Sequence, residues 1–175
     1  ADADNTDDGY DKIFVDRNSS IYSAQDLVLD ATNGGISADH ELYAQAGRSI
    51  YLNDNFDIDY DTTFFADFDE DGTGSFVSIA SMNTNDANLV IEAADLDISA
   101  TIDTGLGNLS LLPTDARDIG VGLATAGDFM IHSDELDLIT TTDLYIGDDT
   151  SGDIYVKDLL AEKTDLVAGM IYRSE

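Results

Sequence analysis

"GNLSLLPTDARDIGVGLATAGDFMIHSDELDLITTTDLYIGDDTSGDIYV", residues 107–156, restarts one short phrase three times. A glycine, a polar residue and then alternating positions ending on an apolar one recur at Gly107–Leu111, Gly127–Ile131 and Gly152–Val156. Alternation of period two, flanked by Gly, Asn, Asp and Thr, marks short strands with one face turned inward.

The pattern extends outward in both directions. Upstream lie "DLVLDA" (26–31), "SIYLND" (49–54), "SFVSIA" (75–80) and "NLVIEA" (88–93). Within the opening stretch are "NLSLLP" (108–113), "DFMIHS" (128–133) and "DLYIGD" (143–148), with "DIYVKD" (153–158) at its end. Secondary strands are expected at "DLDISA" (95–100), "RDIGVG" (117–122) and "ELDLIT" (135–140). No segment shows a sustained helical period with caps. The single proline, Pro113, follows a strand and interrupts no ladder.

The steps from Leu89 to Leu109 and from Leu109 to Phe129 are each 20 residues. Self-similarity at such a period is the signature of a solenoid, in which each coil buries its inward residues on the coils above and below. The expected fold is all-β: a right-handed parallel β-solenoid of about 7–8 coils. Leu89, Leu109 and Phe129 should share one column, and Ile91, Leu111 and Ile131 the next. Each glycine should mark a corner. The alternative is a β-sandwich fibre subunit, joined by inserting "KIFVD" (12–16) into the next copy; its Asn-Gly and Asp-Gly hairpin turns are scarce here.

At 175 residues the chain suits one domain. It divides into an acidic segment (1–24, extended or first rung), the repeats (25–160) and a last rung or cap (161–175). The opening Ala1-Asp2-Ala3 suggests a processed product. Hydrophobic residues make up 43%, enough for a core. Seven Lys and Arg against 37 Asp and Glu leave a net charge of −30. That charge argues against nucleic acid, whose phosphates need cationic neutralisation, and against anionic membrane surfaces. It suits a medium rich in salt or divalent cations, where self-repulsion is screened or bridged. There is no cysteine, hence no disulfide or thiolate metal site, and no run of ~20 apolar residues for membrane insertion.

"NLVIEAADLDISATIDTGLGNLSLLPTDARDIGVG" followed by "ELDLITTTDLYIGDDTSGDIYV" resembles the repeats of filamentous haemagglutinin-type exoproteins, bacterial surface proteins often exported by two-partner secretion. The likeness is best over residues 87–157, extends to "DFDEDGTGSFVSI" (67–79), and is weak before 25 and after 160. It implies right-handed parallel β-helices and an extracellular, structural or adhesive role.

Chemistry is sparse. Asp67, Asp69 and Asp71, followed by Gly72, match the first half of a calcium loop, but Ser78 stands where its bidentate Glu belongs. Asp and Gly are equally what tight corners use. Asp57, Asp59 and Asp61 would share one strand face, ~7 Å apart, with Phe56, Ile58 and Tyr60 inward. Calcium is the one candidate cofactor. His40 and His132 are expected on the surface, and the seven bases (Lys12, Arg17, Arg48, Arg117, Lys157, Lys163, Arg173) are scattered, so no enzyme is expected. Asn18 and Asn108 satisfy the glycosylation triplet, and Tyr43, Tyr51, Tyr145 and Tyr155 fall in strands, where buried or half-buried columns explain them.

The expected function is a secreted or cell-surface filament or adhesin segment. Its partners would be further copies joined head to tail, or adjacent repeats of a longer chain, with glycans or a cell surface as targets. The alternatives are a carbohydrate-active β-helix enzyme, which would need basic groups beside paired acids, and a cation- or carbohydrate-binding surface module.

Overall fold

The computed structural model describes residues 12–31, 34–124, 126–159 and 167–174. The chain winds three strands to a coil. The first coil holds β1 (Ile13–Val15), β2 (Ser19–Ser23) and β3 (Leu27–Leu29). The second holds β4 (Ile36–Ala38), β5 (Leu42–Ala46) and β6 (Ile50–Leu52), and the third β7 (Phe56–Ile58), β8 (Thr62–Phe65) and β9 (Ser75–Ser78). β10 (Met82–Asn83), β11 (Leu89–Ala93) and β12 (Asp95–Ile98) form the fourth; β13 (Ile102–Asp103), β14 (Leu109–Pro113) and β15 (Ile119–Gly122) the fifth. An added strand, β16 (Phe129–His132), and one helical turn, α1 (Ser133–Leu136), follow. β17 (Ile139–Ile146) then runs through two faces, before β18 (Ile154–Lys157) and β19 (Val167–Tyr172).

Pairings between coils are parallel throughout the described residues. The chain is therefore a β-solenoid of about seven turns and not a hairpin sandwich. Within the 1–24 segment, β1 and β2 form a first rung stacked on β4 and β5.

Period-two alternation builds the core. On the second face Leu42, Thr62, Leu89, Leu109 and Leu144 stand in one column, and Ala44, Phe64, Ile91, Leu111 and Ile146 in the next. On the first face Ile36, Phe56, Met82, Ile102 and Ile139 do the same. Each fully buried side chain of this size stabilises by about 1.5–3 kcal/mol. In the third coil one phenylalanine comes from each face: Phe56 and Phe64 lie 5.3 Å apart between ring centroids, Phe64 and Phe76 5.1 Å.

Polar groups satisfy the corner between the first two faces. The hydroxyls of buried Thr84 and Thr104 donate to the carbonyls of Ala87 (2.6 Å) and Gly107 (3.0 Å). Outside them, the backbone N–H of Asn88 donates to the Asp61 carboxylate (2.9 Å), and that of Asn108 to the Asn88 side chain (3.1 Å). Gly107 is a corner glycine as expected, because a Cβ there would collide with the Ala87 carbonyl.

Two expectations need correction. Leu109 does follow Leu89 in its column, but the next rung is Leu144; Phe129 pairs with Ile119 on the third face. Likewise Ile131 pairs with Val121, while Leu111 meets Ile146. The second 20-residue step is a coincidence of spacing, because β16 is an extra strand placed between β12 and β15. "ELDLIT" is also no continuous strand: Ser133–Leu136 is helical and β17 begins at Ile139.

Side chains replace the ladder at this insertion. Asp95 accepts the Met130 N–H (3.1 Å), and Glu135 accepts the N–H groups of Ile98 (3.0 Å) and His132 (2.7 Å), one on each carboxylate oxygen. Glu135 is 7% exposed, and burial pushes its carboxyl above the ordinary range. With β16 in place, the third face stacks β3, β6, β9, β12, β16, β15 and β18, the same number of rungs as β2, β5, β8, β11, β14, β17 and β19 on the second.

Candidate functional site

The corner between β8 and β9 carries the Asp-rich stretch. Asp67 adopts a left-handed backbone (φ 59°), uncommon for a residue with a side chain, and is fully buried. Its carboxylate organises the loop. One oxygen accepts from the N–H groups of Gly72 (3.1 Å) and Thr73 (3.3 Å). The other accepts from Gly72 (3.2 Å) and from the Thr114 hydroxyl (2.7 Å), 47 residues on. Asp71 accepts from the Thr73 hydroxyl (2.5 Å) and N–H (3.0 Å), and the hydroxyl bond leads in holding its carboxyl below the ordinary range. Asp69 is exposed.

Carboxylate oxygens of Asp67, Asp69 and Asp71 all lie within 4.8 Å of one another. The structure thus brings these three predicted residues together. It also commits Asp67 to four short contacts, which use the lone pairs an ion would need. Two arginines border the corner. Between residues 34 and 153 the only Lys or Arg residues are Arg48 and Arg117, and both reach this loop. The Arg48 carbonyl accepts the Asp67 N–H (2.9 Å), and Arg48 contributes to the lowering of Asp71. The Arg117 guanidinium lies over Gly72 so closely that a Cβ there would strike it. Along the sequence these arginines are scattered; only coil stacking places them together.

Asp57, Asp59 and Asp61 do not share a strand face. β7 ends at Ile58, so Asp59 and Asp61 lie in the corner before β8, and Tyr60 is 44% exposed instead of inward. The Asn85 amide donates to Asp57 and Asp59 alike (2.7 Å each), while Asp61 accepts from Asn88. These acids cap the coil above.

A groove of about 530 Å³ on the third face brings His132 alongside Asp95, Asp97, Asp134 and Glu135. Sequence reading had no signal for this group, since residues 95–97 and 132–135 meet only across the β12–β16 junction. No Lys or Arg lines it, and both Glu135 oxygens are held by backbone donors. His132 is exposed, and His40 bonds Asp39 (2.7 Å) while stacking on Tyr60.

The outer face of the second sheet is partly aromatic. Phe68 meets Tyr22 and Phe65 edge-on at 5.9 and 5.6 Å. Glu92 stands between Phe65 and Leu112 in the same outward column. Burial, reinforced by the charges of Asp148 and Glu70, raises its carboxyl to about 7. The strand tyrosines divide: Tyr51 and Tyr145 are half-buried, as expected, with Tyr145 facing Arg173 (5.6 Å), whereas Tyr43 and Tyr155 are 37% and 39% exposed. Asn18 is exposed and donates to Glu41; Asn108 is half-buried at the foot of β14.

No helix among the described residues is long and apolar enough to cross a membrane. No protein-family model, no curated protein and no solved structure matches the chain.

Proposed function

We propose that the chain is a structural segment of an extracellular surface, a stiff β-solenoid that spans distance and presents an adhesive acidic flank, akin in build to filamentous haemagglutinin-type exoproteins. The observation that carries this reading is where the polar chemistry goes. The buried acids Asp67 and Glu135 and the corner threonines are engaged in holding coils together. Most of the remaining carboxylates form an exposed coat, which suits a saline exterior and keeps flanks of neighbouring molecules apart. Glycans or a cell surface are the targets this reading expects.

The His132 groove supports a second reading, a carbohydrate-active site using His132 with the acids beside it. One experiment separates the two. Acidic and neutral polysaccharides are incubated with the protein and sized afterwards. Retention on the protein with unchanged polysaccharide length is the expected result. Shortening that disappears in His132→Ala would overturn the structural reading in favour of the enzyme.

A further inference from the structure

The residues that precede five strands of the second face form a side-chain column of their own: Asn18, Glu41, Asp61, Asn88 and Asn108. Three of its four steps are bridged. The Asn18 amide donates to Glu41 (3.2 Å), the Asn88 N–H and amide donate to Asp61 (2.9 and 3.4 Å), and the Asn108 N–H donates to the Asn88 side chain (3.1 Å). The step from Glu41 to Asp61 has no side-chain donor among the described residues. It sets two carboxylates on neighbouring rungs, about 4.8 Å apart by the strand spacing, where like charges repel. The backbone bond at that step is the longest of the four. The Leu42 N–H meets the Asp61 carbonyl at 3.4 Å, against 3.0 Å for Ser19 to Glu41, 3.0 Å for Thr62 to Asn88 and 2.9 Å for Leu89 to Asn108.

The unbridged step lies on a cavity of about 380 Å³, a size that suits a small ligand. Glu41 and Asp61 line it together with Asn18, Ser20, Tyr43 and Thr63. The last three of these come from adjacent strands of the sheet, stacked rung over rung. The Gln45 amide donates to the Tyr43 hydroxyl (3.1 Å) and steadies the ring. No Lys, Arg or His lines the cavity. The bases nearest in sequence are engaged outside it, Arg17 on Asp16 (3.1 Å) and His40 on Asp39 (2.7 Å). Two carboxylates without a counter-charge, an aromatic ring, two hydroxyls and an amide together fit a cation that also carries hydroxyl groups.

Resting on the reading above, in which glycans are targets, we propose that this cavity binds an amine-bearing sugar unit of a polysaccharide, its ammonium completing the Glu41–Asp61 step. An ammonium has three donors, enough to serve both carboxylates with charge-assisted bonds. Tyr43 supplies a π face for the cationic sugar, and Asn18, Ser20 and Thr63 supply partners for its hydroxyls. The net charge of −30 favours the same class, because it draws cationic chains to the flank and repels acidic ones.

The test is isothermal titration of the full 175-residue chain with a glucosamine oligosaccharide and with its N-acetylated counterpart of equal length. The pH is set so that amines and carboxylates are both charged. The amine form should saturate one site, and the acetylated form should bind about tenfold or more weakly. Glu41→Gln and Asp61→Asn, which keep an oxygen acceptor for Asn18 and Asn88, should each weaken amine binding about fivefold or more. Tyr43→Ala should weaken it about threefold or more, and Tyr43→Phe, which keeps the ring, should match the wild type. Asp128→Asn removes the same charge from an exposed position before β16 and should change binding by less than about twofold. Thermal melts of each variant keep folding separate from binding, and the comparison of the two oligosaccharides needs no variant. Absence of binding, equal binding of both oligosaccharides, or equal weakening by Asp128→Asn overturns the proposal and leaves the structural reading intact. Polysaccharide shortening that depends on His132 would fail that reading instead.

Discussion

Glu92→Gln should stabilise the protein at neutral and alkaline pH and leave it unchanged at pH 4. Glu92 projects from β11 between the Phe65 and Leu112 side chains, and burial with the Asp148 and Glu70 charges raises its carboxyl from 4.5 to about 7. The folded state therefore holds a proton that the unfolded chain releases. Below 4.5 both states are protonated and the residue is neutral to stability. From 4.5 to 7 stability falls as pH rises, and above 7 the loss is complete and constant. At 1.36 kcal/mol for each pH unit the ceiling is about 3.4 kcal/mol. Glu92 is only half-buried and solvent screens its neighbours, so we expect about 1–2 kcal/mol. Urea denaturation of both proteins across this range checks it. The difference between them isolates Glu92, since every other group is common to both. A gap independent of pH, or a wild-type advantage above pH 7, would refute the reasoning.

Leu109→Asp should cost about 4 kcal/mol or more by burying an unpaired charge, whereas Ser110→Asp, on the outward side of the same strand, should cost under about 1; thermal melts that fall alike would place the inward column elsewhere. Glu135→Ala orphans the Ile98 and His132 N–H groups and should cost about 2–4 kcal/mol, with Glu135→Gln, which keeps one acceptor, losing less. Hydrogen exchange at residues 95–98 and 129–132 reads this, and unchanged protection there would show that the carboxylate does not join β12 to β16. Calcium and magnesium at equal ionic strength should protect the 67–74 amides equally, because Asp67 is committed to Gly72, Thr73 and Thr114; a gain confined to calcium would mark a built site on Asp69 and Asp71.

The candidate site was half legible. Alternate aspartates ending in a glycine identify the 67–72 corner from sequence, because a tight turn and a carboxylate cage need the same residues. What packs against that corner was not legible. Thr114 and Arg117 come from two coils further on, and nothing in their local sequence points back to Asp67. The 57–61 run misled because alternation was extended past the end of β7, where the chain turns and the side chains no longer alternate across a sheet.

Sequence alone determined the fold class, since alternation in "NLVIEA" and "NLSLLP" states which side chains turn inward and their 20-residue offset states that one strand lies on the other. It determined the acidic coat too, because charge is a property of composition. Only the tertiary structure decided which face each strand joins. Offsets between paired strands of successive coils run from 20 to 37 residues, as corners take up insertions at little cost in loop entropy. Period two distinguishes the two sides of a strand and carries no record of the face to which that strand belongs. So "DFMIHS" reads as another rung over "NLSLLP" and folds as an extra strand beside "RDIGVG". Its consequence, the second and third faces ending on the same rung, exists only once the coils are stacked.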